Sequence, residues 1–321
     1  METATIDPRR DPTRGAEPAV WALVGQTPLI PLESETPKRA SGTLFLKAEW
    51  MNPGGSVKDR PAREILRAGL AEGFLPTRRL LDASSGNTAV AYAMLGAAAG
   101  LGVTMCVPRN ASVERFQLLK LYGAEVIESD PLEGSDGAIR LARQLAEASP
   151  DRYWYANQYD HPANPESHYR TTGPEIWNDT SGSITHLVAG VGTSGTLMGT
   201  GRFLKEMKAD IRLIAVEPSE PFHGLEGLKH MATALVPGIY DPSRIDRTIF
   251  VETESAEDKV RALAKDQGLF VGWSVGAAVI AAERIIDEAG TGAPGTRPVV
   301  VVIAPDGGTR YLSETRRLVP D

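Results

Sequence analysis

Short apolar runs alternate with longer amphipathic stretches along most of this chain. Leu44-Phe45-Leu46 reads as a strand, and residues 61–71 read as an amphipathic helix. The alternation then continues: strand at 80–82, loop at 83–88, helix through Ala99, strand at 103–107. A helix at 112–122 with Ser112 as N-cap, a strand at 125–127 and a helix at 134–148 follow. The pattern pauses over 151–177, which is crowded with Tyr, Asn, Gln, Pro and His. It resumes with a strand at 185–189, a helix at 195–207 and a strand at 213–216. After a loop-rich stretch over 217–247, helices at 256–267 and 275–288 and a strand at 299–303 close the pattern. Apolar strands alternating with helices predict an α/β fold of mostly parallel sheets flanked by helices, with two halves. The uncharged run 88–108 is rich in Ala and Gly and is broken at Gly100 and Gly102, so helix followed by buried strand suits it better than a membrane span.

Three joints between elements carry chemistry. The first is Asn52-Pro53-Gly54-Gly55-Ser56-Val57-Lys58-Asp59-Arg60, a tight turn between strand and helix. It puts Lys58 near a helix N-terminus, where the dipole disfavours a second positive charge and favours the neutral amine of carbonyl chemistry. A surface lysine flanked by two charged residues is the plain alternative. The second joint, Ser84-Ser85-Gly86-Asn87-Thr88, can present N–H groups and hydroxyls to a carboxylate or phosphate, or can be an ordinary capping loop. The third, Gly190-Val191-Gly192-Thr193-Ser194-Gly195-Thr196, also opens a helix. It satisfies G-x-G-x-x-G with Glu217 about 20 residues on, which keeps a dinucleotide reading open. Its hydroxyls suit a phosphate monoester better, and a dinucleotide leaves Lys58 and Asn87 idle. Ser274 stands at a further helix entrance and reads as an N-cap. An amine, a carboxylate cradle and a monoester-phosphate loop together suggest pyridoxal phosphate.

Composition narrows the setting. At 321 residues the chain accommodates two domains or one large α/β unit. A net charge of −7 and a pI near 5.4 argue against nucleic acid and anionic membranes as partners. The single cysteine, Cys106, sits in an apolar run, which excludes a disulfide framework and points to a reducing cytoplasm. No His–Cys cluster has metal-ligand spacing, so no metal is expected. Residues 1–18 are polar, lack an apolar leader core and read as a disordered tail.

Gly25-Gln26-Thr27-Pro28-Leu29, the 52–60 and 84–88 joints, residues 158–164 and the 192–196 loop resemble the cysteine synthase family. That family belongs to the tryptophan-synthase-β-like, fold-type-II pyridoxal-phosphate enzymes. The resemblance implies that Lys58 is the Schiff-base lysine and proton shuttle and that Asn87 bonds the cofactor's ring oxygen. It further implies that Gly192, Thr193, Ser194, Gly195 and Thr196 bind the phosphate, with Ser274 at the pyridine nitrogen. Ser84, Ser85, Thr88 and Gln158 would hold the substrate carboxylate. A smaller mobile domain at 52–157, a larger one at 19–51 plus 158–321, and a homodimer are also implied. Gln26, Ser84 and Ser274-Val275 depart from the family's usual residues without removing a group the chemistry needs.

The implied reaction is β-replacement: an activated L-serine loses its leaving group through an aminoacrylate, and a sulfur nucleophile adds to give L-cysteine. A neutral Ser274 fits, since a hydroxyl does not keep the pyridine nitrogen protonated and so favours prompt elimination. O-acetyl-L-serine and O-phospho-L-serine are the candidate donors. Lys229 resembles the basic residue that contacts a substrate phosphate, and residues 197–204 resemble the branch taking sulfur from a small carrier protein's thiocarboxylate. Cystathionine β-synthase-like and serine/threonine dehydratase activities are the alternatives.

Overall fold

The structure is a computed structural model and describes residues 17–32, 42–291, 297–313, 317 and 319. The expected disordered tail, residues 1–18, lies outside the described residues except for Glu17 and Pro18. In chain order the elements are α1 (Ala19–Ala22), β1 (Leu29–Leu32), β2 (Thr43–Ala48), α2 (Asp59–Ala71), β3 (Arg79–Ala83), α3 (Asn87–Ala99) and β4 (Val103–Pro108). Next come α4 (Val113–Leu121), β5 (Glu125–Ser129), α5 (Gly134–Ala148), β6 (Tyr153–Tyr155), α6 (Ala163–Arg170), α7 (Thr172–Asp179) and β7 (His186–Gly190). The remainder is α8 (Gly195–Met207), β8 (Arg212–Pro218), β9 (Arg247–Val251), α9 (Thr253–Gln267), α10 (Trp273–Thr291) and β10 (Val299–Ala304).

Two compact units result, the first from residues up to Val24 and Lys58–Ala163, the second from Gly25–Val57 and from Asn164 onward. The first unit holds a four-stranded sheet in the order β5-β4-β3-β6, all parallel. Successive residues of its central strands serve opposite faces, as the strand period of two requires. Leu80 and Met105 pack with α2 and α3, while Leu81 and Cys106 pack with α5. Trp21 joins this unit through a bond from Nε1 to Leu95 O at 3.0 Å, which accounts for residues 19–24 belonging here and not with the larger sheet.

The second unit holds a six-stranded sheet in the order β1-β2-β10-β7-β8-β9, parallel except for β1. One face buries Val188, Ile214, Val216, Val300 and Val302 against α9 and α10. The other buries Leu187, Ala189, Leu213, Ala215 and Val301 against α7 and α8. Residues 52–57 belong to this unit, with Val57 N donating to Pro305 O at 2.8 Å just past β10.

Several elements escape the periodicity. β9 is an edge strand with Phe250 half exposed and Arg247 paired to Glu288, a polar edge that hides its apolar period. β6 is only three residues long, and α6 and α7 are eight residues each and rich in polar residues. α2 begins at Asp59 because Pro61 stands in the first turn, where its missing N–H costs nothing. Ser112 has the extended backbone of an N-cap but its side chain makes no capping bond. Ser274 is not an N-cap: α10 begins at Trp273, so this hydroxyl lies inside the first turn. The uncharged run 88–108 forms α3 and β4, and no helix among the described residues is long and apolar enough to cross a membrane.

Candidate active site

Of the predicted site residues, the first unit holds Lys58, Ser84, Ser85, Asn87, Thr88 and Gln158. The second holds Gly192, Thr193, Ser194, Gly195, Thr196, Lys229 and Ser274.

Lys58 is the N-cap of α2 and half-buried. Asp59 and Arg60 beside it are fully buried, so this is not the solvated charge run of a surface loop. The preceding turn is shaped within the second unit. Gly55 has φ +77°, and a Cβ there would press on the Arg310 guanidinium. Arg310 donates to Gly54 O and, at 3.3 Å, to Gly55 O.

The 84–88 loop leaves β3 and enters α3 with Gly86 as N-cap, Asn87 and Thr88 being the first two helical residues. Ser84 N donates to Cys106 O at 3.1 Å, and Ser84 Oγ accepts from Gly86 N at 3.1 Å, which leaves the serine's own hydrogen for a ligand. Arg115 Nη1 donates to Ser85 O at 3.0 Å. Thr88 Oγ1 donates to Gln158 Oε1 at 2.7 Å, and Gln158 Nε2 donates to Ala83 O at 2.8 Å. Gln158 is therefore a strut of the loop in this state as well as a candidate ligand.

Beneath the loop lies Asp82, fully buried. It accepts from Ala83 N at 2.8 Å and from Gln158 N at 3.1 Å. Burial outweighs these bonds and pushes its carboxyl up to about 7. Burial and the nearby Asp82 also raise the Tyr155 and Tyr159 hydroxyls.

The 190–196 loop joins β7 to α8. Ser194 has φ +71° and is the N-cap of α8, a helix of 13 residues. A Cβ at Gly192 would collide with Gly227 O, and one at Gly195 would collide with Asn164 Oδ1, so both positions require glycine. Ser194 Oγ is buried with no hydrogen-bond partner among the described residues. Thr193 Oγ1 accepts from Asn164 Nδ2 at 3.2 Å, and Thr196 Oγ1 lies 3.2 Å from His168 Nε2. A helix N-terminus, side-chain-free glycines and an unpartnered hydroxyl fit a phosphate monoester.

Lys229 is buried, and its N–H donates to Val191 O at 2.8 Å, so its backbone is fastened to the 190–196 loop. Leu228 fills the space a side chain at Gly190 would need. Ser274 is buried in the first turn of α10. Among the described residues no three His, Cys, Asp or Glu side chains group as metal ligands.

Periodicity missed Asp82, Arg115, His168 and Arg310. Each has a partner far along the chain, Gln158 for Asp82, Ser85 for Arg115, Thr196 for His168 and Gly55 for Arg310, so no local signal marks it. The run 163–170 containing His168 is too polar and too short to show a helical period.

The pyridoxal-phosphate dependent enzyme family model matches residues 20–306. Cysteine synthase of Aquifex aeolicus is 46% identical over 94% of this chain and 93% of its own length. Cysteine synthase B of Pseudomonas aeruginosa is 40% identical over 92% of this chain and 96% of its own length. The crystal structure of cysteine synthase from Entamoeba histolytica superposes with a TM-score of 0.86 at 33% identity, covering 100% of this chain and 95% of that one. The chain belongs to the cysteine synthase family of pyridoxal-phosphate dependent enzymes, as the five resembling segments implied.

Proposed function

We propose that this protein makes L-cysteine by β-replacement on an O-activated L-serine, with pyridoxal phosphate as cofactor. The observation that carries the reading is the 192–196 loop, with glycines that tolerate no side chain and the buried, unpartnered Ser194 hydroxyl. Gly192, Thr193, Ser194, Gly195 and Thr196 would hold the phosphate, and Lys58 would supply the amine that anchors the aldehyde. Asn87 would bond the ring oxygen, and Ser274 would offer the pyridine nitrogen a neutral hydroxyl. When bound, the cofactor supplies an electron sink for the electrons released at the substrate's α-carbon.

The chain's own groups do the rest. Ser84 and Ser85 donate hydroxyls to the substrate carboxylate beside the N–H groups that open α3. Thr88 and Gln158 bond each other at rest and join the carboxylate by exchanging that bond for new ones. Lys58 Nζ takes the α-proton and returns it to the product. Neither Thr88 nor Gln158 is ionised, so orientation and not charge selects the carboxylate's pose.

O-acetyl-L-serine and free sulfide are the proposed substrates. A phosphate leaving group is the second reading, and it rests on the resemblance of Lys229 to the basic residue that contacts a substrate phosphate. The 197–204 segment is accounted for by packing. Gly199 lies against Pro165 O and Gly201 against Leu213, while Arg202 pairs with Glu166 at 2.6 Å. A carrier thiocarboxylate therefore keeps only the family resemblance behind it. A cytosolic homodimer accompanies this reading, in keeping with a lone, buried Cys106.

Stopped-flow absorbance with O-acetylserine and O-phosphoserine in parallel, followed by sulfide and product analysis, tests the proposal. The expected result is a donor-dependent bleaching of the cofactor band and L-cysteine on adding sulfide. Pyruvate release without cysteine would replace this reading with a dehydratase.

A further inference from the structure

His168 is almost fully buried, 1% exposed, and its ring faces two hydroxyls. Nδ1 lies 2.9 Å from Thr172 Oγ1, and Nε2 lies 3.2 Å from Thr196 Oγ1. One helical turn earlier on α6, Asn164 Nδ2 donates to Thr193 Oγ1 at 3.2 Å. Residues i and i+4 of one helix face thus reach the two threonines of the 192–196 loop. A hydroxyl that accepts one bond still has its hydrogen to give. A neutral imidazole donates from one nitrogen only, and the bond at the other nitrogen selects which.

We propose that His168 and Asn164 are positioning residues that hold Thr196 and Thr193 as hydrogen-bond donors toward an oxyanion in the 192–196 loop. His168 acts in the Nε2–H form, which Thr172 selects by donating to Nδ1. The arrangement is proton-balanced: Thr172 gives to Nδ1, Nε2–H gives to Thr196, and Thr196 gives to the anion. The opposite tautomer would require Thr196 to donate into the ring and turn a lone pair toward a phosphate, which repels it. The inference rests on the reading of this loop as a phosphate site and adds what sets its polarity.

The test compares pyridoxal phosphate with pyridoxal, which lacks the phosphate, on the cofactor-stripped full-length chain, following each by absorbance at equilibrium. Wild type is expected to prefer the phosphorylated form strongly. His168→Leu should weaken pyridoxal phosphate about tenfold and leave pyridoxal within about twofold. His168→Gln, whose amide nitrogen reaches the place of Nε2, should restore most of the preference. Thr172→Val should lower it about threefold with the ring still in place. Two-bond 1H–15N spectra of the loaded protein, with the His168 signal identified by its loss in His168→Gln, should show the Nε2–H form. That measurement decides the matter if His168→Leu fails to fold. An Nδ1–H form, or an equal loss of both ligands in His168→Leu, overturns the inference while leaving the phosphate loop intact. A wild-type protein that binds both ligands equally overturns the loop reading itself.

Discussion

Thr88 and Gln158, 70 residues apart in the chain, bond directly: Thr88 Oγ1 donates to Gln158 Oε1 at 2.7 Å inside the first unit. The bond ties the first turn of α3 to the segment after β6, and Gln158 Nε2 completes the tie at Ala83 O. The candidate carboxylate loop is thereby fixed at both ends by one side chain.

Gln158→Ala removes both bonds and leaves the Ala83 carbonyl and the Thr88 hydroxyl to find other partners in a buried setting. A stability loss of about 2 kcal/mol is expected, at about 1 kcal/mol for each bond. The apparent KM for the amino-acid donor should rise about tenfold, with a smaller change in kcat. Urea denaturation and steady-state kinetics check this, and an unchanged KM would remove Gln158 from the substrate's surroundings.

Asp82 makes stability depend on pH. The folded chain holds its proton up to about 7, whereas an unfolded aspartate releases it near 3.8. The folded form therefore binds the extra proton between those values, and stability falls as pH rises from about 4 to about 7. The ceiling on this loss is roughly 4 kcal/mol, from about three pK units. Asp82→Asn should flatten that part of the profile. Urea midpoints at pH 5 and pH 8 for both proteins measure it, and equal slopes would show that Asp82 is ionised throughout.

Lys58→Ala should abolish β-replacement and leave any bound cofactor extractable by dialysis. Borohydride reduction of the wild type followed by peptide mapping should place the pyridoxyl label on Lys58. Lys47 is the natural control. It is fully buried and paired with Glu175 at 2.9 Å and Asp179 at 3.3 Å, which keeps its amine engaged. A label on Lys47 would sink the assignment.

Lys229→Ala separates the two donors. If Lys229 meets a phosphate leaving group, O-phosphoserine turnover should fall at least tenfold while O-acetylserine turnover holds within about twofold. Equal rates for wild type and variant on both donors would make Lys229 a structural lysine and favour the acetyl donor.

Much of this protein was legible in its residues before any tertiary contact was known. Runs such as Val103 to Val107 and the glycine–hydroxyl joints at 84–88 and 190–196 declare parallel strands and helix-entry loops, because strand period, helix entry and glycine's freedom are local properties. Lys58 stood out for the same reason. Tertiary structure alone decided what those joints rest on. That Asp82 lies buried beneath one loop, that Gln158 braces it, and that α6 presents Asn164 and His168 to the other are facts about partners 28 to 76 residues away. It also decided that Ser274 lies within its helix and not at the cap, since a helix start is set by what packs around Trp273 as well as by the hydroxyl beside it. Hydrogen-bond polarity and desolvation arise only when distant segments exclude water together, and no local pattern records them.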